Sequence, residues 1–167
     1  MKACVVGAGA IGGILAARLA HAGHEVSAIA RGAHLQAIQE RGLTLKWAGE
    51  QFTVDIRATS DASDMEPQDY VILTVKAPAL PGIAPSLMPL LGPQTTIVTA
   101  MNGVPWWFCH ALTGPLAGRT LSSTDPNGLL GETLTRDRLL GCVVHAGASV
   151  PEPGVVDHAA GNQFIVG

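Results

Sequence analysis

Charge is scarce in this sequence. Asp, Glu, Lys and Arg make up 14% of the 167 residues, the net charge is -3, and no run of Lys or Arg occurs. These features argue against nucleic acid or an anionic membrane surface as partner. Cysteine is equally sparse: Cys4, Cys109 and Cys142 are odd in number, widely spaced and without a CxxC pair. That pattern fits a reduced cytoplasmic protein rather than a disulfide framework or a zinc scaffold. The six histidines show no metal-ligand spacing, so no metal is expected, and no Ser, His, Asp set has the spacing of a nucleophilic triad. Gly, Pro or charge interrupts every apolar run before the roughly 18 to 20 residues a membrane-spanning helix needs. Residues 1–22 carry glycines and Arg18 where a secretory signal would have its apolar centre and cleavage site. A soluble cytoplasmic protein with no leader and no membrane partner is expected.

Apolar residues, in contrast, reach 47% and mean hydropathy is +0.31. Much of the chain must be buried on two faces, which favours a sheet covered by helices. Residues 1–167 suit one domain. KACVV reads as a strand, and residues 10–22 carry Ile11, Leu15 and Leu19 at helical spacing. Gly23 closes that helix and EVSAIA reads as a second strand, giving a right-handed βαβ unit and a parallel sheet. A helix in AHLQAIQERG follows, then a hairpin from LTLKW and QFTVDIRAT around Ala48 and Gly49. DYVILTV is a buried strand, linked by the proline-punctuated helical stretch APALPGIAPSLMPLL to another at residues 95–99. From Gly141 three short β-like runs, separated by PEPG and AGN, read as a small antiparallel or mixed addition at a sheet edge. The fold class is α/β, a Rossmann-type doubly wound, mainly parallel sheet with short antiparallel strands near the C-terminus.

Gly7, Gly9 and Gly12 have the GxGxxG spacing between a predicted strand and a predicted helix. Each glycine has its own reason: Gly7 for the tight turn, Gly9 for backbone approach to a pyrophosphate, Gly12 for close packing of helix on strand. The segment Gly7, Ala8, Gly9, Ala10, Ile11, Gly12 therefore offers its N–H groups to phosphate at the positive end of the helix. NAD would call for Asp or Glu at the end of the second strand; Ala30 and then Arg31 stand there. A guanidinium pairs with a 2′-phosphate, so NADP(H) is the expected cofactor. Lys76 after YVILTV and Asn102 with Gly103 after TIVT lie where strand ends line the ligand crevice of an open α/β sheet. Trp106 and Trp107 read as core or interface packing, and His145, in an apolar strand-like run, as a hydrogen-bonded structural residue.

GAGAIGG, ARGAHL, ILTVKAPAL, MNGVPWW, GCVVHAGASVPEPGVV and GNQFIVG, in this order, resemble the ketopantoate reductases (2-dehydropantoate 2-reductases) over essentially the whole chain. The resemblance implies NADPH-dependent reduction of 2-dehydropantoate to pantoate in pantothenate biosynthesis, on the path to coenzyme A. It implies that Gly7 to Gly12 hold the pyrophosphate and Arg31 the 2′-phosphate. Lys76 would lie beside the cofactor, Asn102 would contact cofactor and substrate, and Ala146 and Gly147 would border the nicotinamide. Of these, Asn102 and then Lys76 are the candidates for a catalytic role. Family enzymes also carry a C-terminal, mainly helical domain that supplies the catalytic lysine and substrate-binding asparagine, serine and glutamate. That domain is absent from these residues, so the chain is expected to be the cofactor-binding domain, incomplete for catalysis alone and left with room for a homodimer. The small-molecule partner would be a 2-oxo acid. Another 2-oxo acid or opine-type dehydrogenase domain, or a non-catalytic NADPH-binding module, remain alternatives.

Overall fold

The computed structural model describes residues 1–167, the side chain of Ala111 excepted. Strand β1 (Lys2–Val6) passes through the glycine turn into α1 (Ala10–His21), and β2 (Glu25–Ile29) returns parallel to β1. Gly23, at a positive φ of 85°, stops α1 by turning its N–H to the Ala20 carbonyl. Helix α2 (Gly32–Arg41) ends the same way at Gly42.

β3 (Leu43–Trp47) and β4 (Glu50–Val54) form the expected hairpin, with Ala48 and Gly49 both at positive φ in its two-residue turn. The hairpin is shorter than QFTVDIRAT implies. The chain breaks at Asp55, and β5 (Arg57–Thr59) pairs instead with β2 at the far edge of the sheet. β6 (Gln68–Leu73) and β7 (Leu91–Ala100) lie parallel to β1, and Thr95–Thr99 proves to be the core of a longer strand. Between them residues 77–90 form only 3₁₀ turns around a four-residue α3 (Leu80–Ile83). Pro78, Pro81, Pro85 and Pro89 remove the N–H groups a continuous helix would need.

After a turn-rich segment and the short α4 (Leu129–Thr133), the chain differs most from its sequence reading. There are two long strands instead of three short ones: β8 (Leu139–Glu152) and β9 (Val155–Val166), antiparallel. Pro153 and Gly154 make the hairpin turn. AGN lies inside β9, opposite a register shift of β8 between His145 and Gly147, with Gly161 at positive φ. Nor is this hairpin an edge addition. The nine-stranded order is β4-β3-β9-β8-β7-β6-β1-β2-β5, with β7 and β8 parallel and β9 and β3 parallel.

Alternating residues of β1 supply two cores. Val5 joins Ile14, Ala16 and Ala17 of α1 with Leu43, Leu45, Val144 and Val156 on one face. Cys4 and Val6 join Val71, Leu73, Leu87, Ile97 and Trp106 on the other. Burial pushes the Cys4 thiol up to about 11, against weaker opposing hydrogen bonds from Ser27 and Ile29. All three cysteines are buried and unbridged. Among the described residues no helix is long and apolar enough to cross a membrane.

Candidate functional site

β1, β2, β6 and β7 run parallel, so their carboxyl ends line one edge of the sheet, and the glycine turn follows β1 along this crevice edge. Gly7, at φ 95°, has its N–H on the Ile29 carbonyl at 3.0 Å, and a side chain there would run into Val75. Gly12 is sealed: a Cβ would overlap the Gly7 carbonyl oxygen and the Thr74 hydroxyl. Gly9 is the opposite case, with nothing within 4 Å of a Cβ. As the residue before α1 it offers no side chain to cap the helix's first-turn N–H groups, which can therefore take an anion. Gly7 and Gly12 are thus held by close contacts, while Gly9 faces open space.

Three contributors to this turn escape the sequence reading. The Thr74 hydroxyl lies 3.0 Å from the Val6 carbonyl oxygen and 2.7 Å from that of Gly7, and shares its one proton between them. Gly13 lets α1 approach β9, since a Cβ there would run into Val156. His34, in the first turn of α2, reaches the Ala8 carbonyl. A polar residue at the end of an apolar strand and a fourth glycine inside a helix were the visible signals.

Arg31 follows β2 in extended conformation, exposed, with no side-chain hydrogen bond or ion pair among the described residues. It lines a cavity of about 200 Å³ with Gly7, Ile29, Ser60, Ala62 and Val75. This pocket has apolar walls with one cation at its rim, suited to a flat heterocycle carrying an anionic substituent. Lys76 is exposed where β6 passes into the first 3₁₀ turn.

At the other end of the crevice, Asn102 is committed to the protein. Its Nδ2 donates to the Val144 carbonyl and its Oδ1 accepts from the Val144 N–H, both at 2.9 Å. One amide thus pairs with β8 as a neighbouring strand would, holding the Met101–Asn102–Gly103 turn against it. One N–H and one lone pair remain to the carboxamide, and the residue is otherwise exposed. Gly147 is exposed on β8 opposite Ala160, beside the register shift. Trp106 is core, as expected, and Trp107 is packed against the same cluster, both with buried indole N–H groups that find no partner. His145 departs from expectation: it is exposed on β8 and makes no side-chain hydrogen bond among the described residues, because its strand face lies outside the core. Among the described residues no cluster of His, Cys, Asp or Glu could hold a metal ion.

Residues 3–106, most of this crevice, match the family model for ketopantoate reductase PanE/ApbA. The chain belongs to the ketopantoate reductase family. It is 45% identical over its full length to 2-dehydropantoate 2-reductase of Mesorhizobium japonicum, covering 52% of that protein. A crystal structure assigned to a ketopantoate reductase of Ralstonia solanacearum MolK2 superposes on 98% of the chain at 48% identity with a TM-score of 0.92, covering 51% of that protein. The PanE/ApbA family ketopantoate reductase of Ralstonia eutropha JMP134 gives 28% identity and a TM-score of 0.77, covering 99% of the chain and 49% of that protein. The chain thus spans about half the length of the relatives it matches, and its Rossmann-type sheet is that of the ketopantoate reductases.

Proposed function

We propose that the chain binds NADP(H) and forms the cofactor-holding domain, residues 1–167, of an enzyme that reduces 2-dehydropantoate to pantoate in the cytoplasm. The observation that carries this reading is one turn with two features: Gly9 is open and leaves α1 uncapped, and Gly7 lines a cavity with Arg31, which has no side-chain partner among the described residues. The residues fit the cofactor: first-turn N–H groups for the pyrophosphate, the cavity for the adenosine, and the guanidinium for the 2′-phosphate. A bound nicotinamide supplies the hydride that reduces the 2-oxo group.

The chain's own side chains do the rest of the holding. Lys76 offers an ammonium beside the crevice, and Asn102 offers its remaining N–H to an oxygen of cofactor or substrate. Gly147 leaves β8 without a side chain on the nicotinamide side. The carbonyl oxygen also needs a proton donor, and neither Lys76 nor Asn102 is assigned that part. We assign it to the C-terminal helical domain that the resemblance implies, a reading consistent with relatives about twice as long as the chain.

A paired titration with NADPH and NADH, followed by tryptophan fluorescence and calorimetry, tests the reading. Saturable binding at least about tenfold tighter for NADPH is expected from one additional charge-assisted, bidentate contact. Absence of binding by both cofactors, or equal affinity for them, overturns it.

A further inference from the structure

His34 bridges two turns that are far apart in the sequence. Its Nε2 lies 2.7 Å from the Ala8 carbonyl oxygen, and the Gly154 backbone nitrogen lies 3.0 Å from its Nδ1. A carbonyl only accepts and a backbone N–H only donates, so a single neutral tautomer satisfies both: Nδ1 accepts from Gly154 while Nε2–H donates to Ala8. The imidazole thereby joins the glycine turn to the turn between β8 and β9, where Arg41 also donates to the Pro153 carbonyl at 3.2 Å. Of these two α2 side chains, only His34 also reaches the glycine turn.

The Ala8–Gly9 peptide is held from its other edge as well, because the Gly9 N–H donates to the Gly7 carbonyl at 2.7 Å. Carbonyl and N–H of a trans peptide point in opposite directions. One partner on each side therefore fixes the plane, immediately before the residue that opens α1. Gly9 has the backbone freedom of glycine and an open surround, so without such partners this plane would have to be ordered when a ligand binds.

We propose that His34 is a positioning residue for the cofactor phosphates. It fixes the Ala8–Gly9 peptide, presents the first-turn N–H groups of α1 in one orientation, and ties that orientation to the β8–β9 turn. The inference rests on the dinucleotide reading above and requires no contact between His34 and the cofactor.

The two halves of the bridge can be separated by amide replacements. In His34→Gln the side-chain nitrogen reaches the place of Nε2 and keeps donation to Ala8. In His34→Asn the amide reaches only the place of Nδ1 and keeps the Gly154 bond, and His34→Ala keeps neither. With NADPH as the probe, calorimetry is expected to show about five- to tenfold weaker binding for His34→Ala and His34→Asn, and binding within about twofold of the parent for His34→Gln. Unfolding midpoints of the Gln and Asn variants, each retaining one bond, are expected to fall together, so that affinity does not track stability. If all three variants bind like the parent, or His34→Gln is as weak as His34→Ala, the inference is overturned while the cofactor reading stands. If the parent itself fails to bind NADPH, the cofactor reading falls and this inference with it. Should the variants not fold, the ¹⁵N spectrum of histidine-labelled parent decides: a bare Nδ1 and a protonated Nε2 at His34 are expected, and the opposite tautomer contradicts the bridge.

Discussion

At the β1–β2 end of the crevice, groups able to bind an anion are left without partners among the described residues: Arg31 makes no side-chain bond there, and no side chain caps α1. At the β7–β8 end the polar group is already spent, with both ends of the Asn102 amide on the Val144 backbone. The first arrangement leaves binding energy for a ligand, because no internal bond need be broken when it arrives. The second places a loop. On the proposed reading the exposed Arg31 serves recognition, whereas the doubly paired Asn102 amide serves architecture with a little capacity left over.

The sharpest way to break this comparison is within the glycine turn. Gly12→Ala forces a methyl into the Gly7 carbonyl and the Thr74 hydroxyl, and a loss of at least about 3 kcal/mol in denaturant unfolding is expected. Gly9→Ala should leave unfolding within about 0.5 kcal/mol and weaken NADPH instead. Equal stability losses would mean that Gly9 is structural too.

Next in size is a pH effect from the strand beneath both ends. Burial raises the Cys4 thiol from 9.0 to about 11, so the folded state favours the protonated form. The contribution is intact below pH 9 and disappears as pH rises toward about 11, reaching roughly 2 to 3 kcal/mol. Cys4→Ala should flatten that part of the stability profile, and an unchanged profile would contradict the assignment.

Asn102→Ala removes both partners of the Val144 backbone. A stability loss of about 1 to 2 kcal/mol is expected, with the β7–β8 end loosened and NADPH affinity changed less than by Gly9→Ala. The reverse pattern, full stability with lost affinity, would make Asn102 a binding group like Arg31. Lys76→Met should have the smallest effect: unfolding unchanged within about 0.5 kcal/mol for an exposed side chain, and NADPH weakened about two- to fivefold at low salt. A stability loss above that would place Lys76 in the architecture.

The first end of the crevice was legible because its determinants are local. Gly7, Gly9, Gly12 and Arg31 lie within 25 residues, and each follows from the geometry of one βαβ unit. Thr74, His34 and Gly13 were not, since their partners Gly7, Gly154 and Val156 lie far away along the chain, 67 and 120 residues off for the first two and nearly the whole chain for the third. The β8–β9 hairpin was misjudged for a related reason. Its register shift near Gly147 interrupts the alternation on which strand reading depends, and its second half extends beyond the core with mostly exposed residues on both faces. The tie from Asn102 to Val144 likewise has no sequence signature, because a carboxamide after a strand looks the same whether it holds a ligand or another strand.

Titration of the chain with adenosine 2′,5′-bisphosphate and with adenosine 5′-monophosphate, in the parent and in Arg31→Asp, tests the central claim most directly, because these ligands occupy only the β1–β2 end. The account predicts at least about tenfold preference for the 2′-phosphorylated ligand in the parent and its loss in the variant. Equal affinity in the parent, or a preference that survives Arg31→Asp, would contradict it.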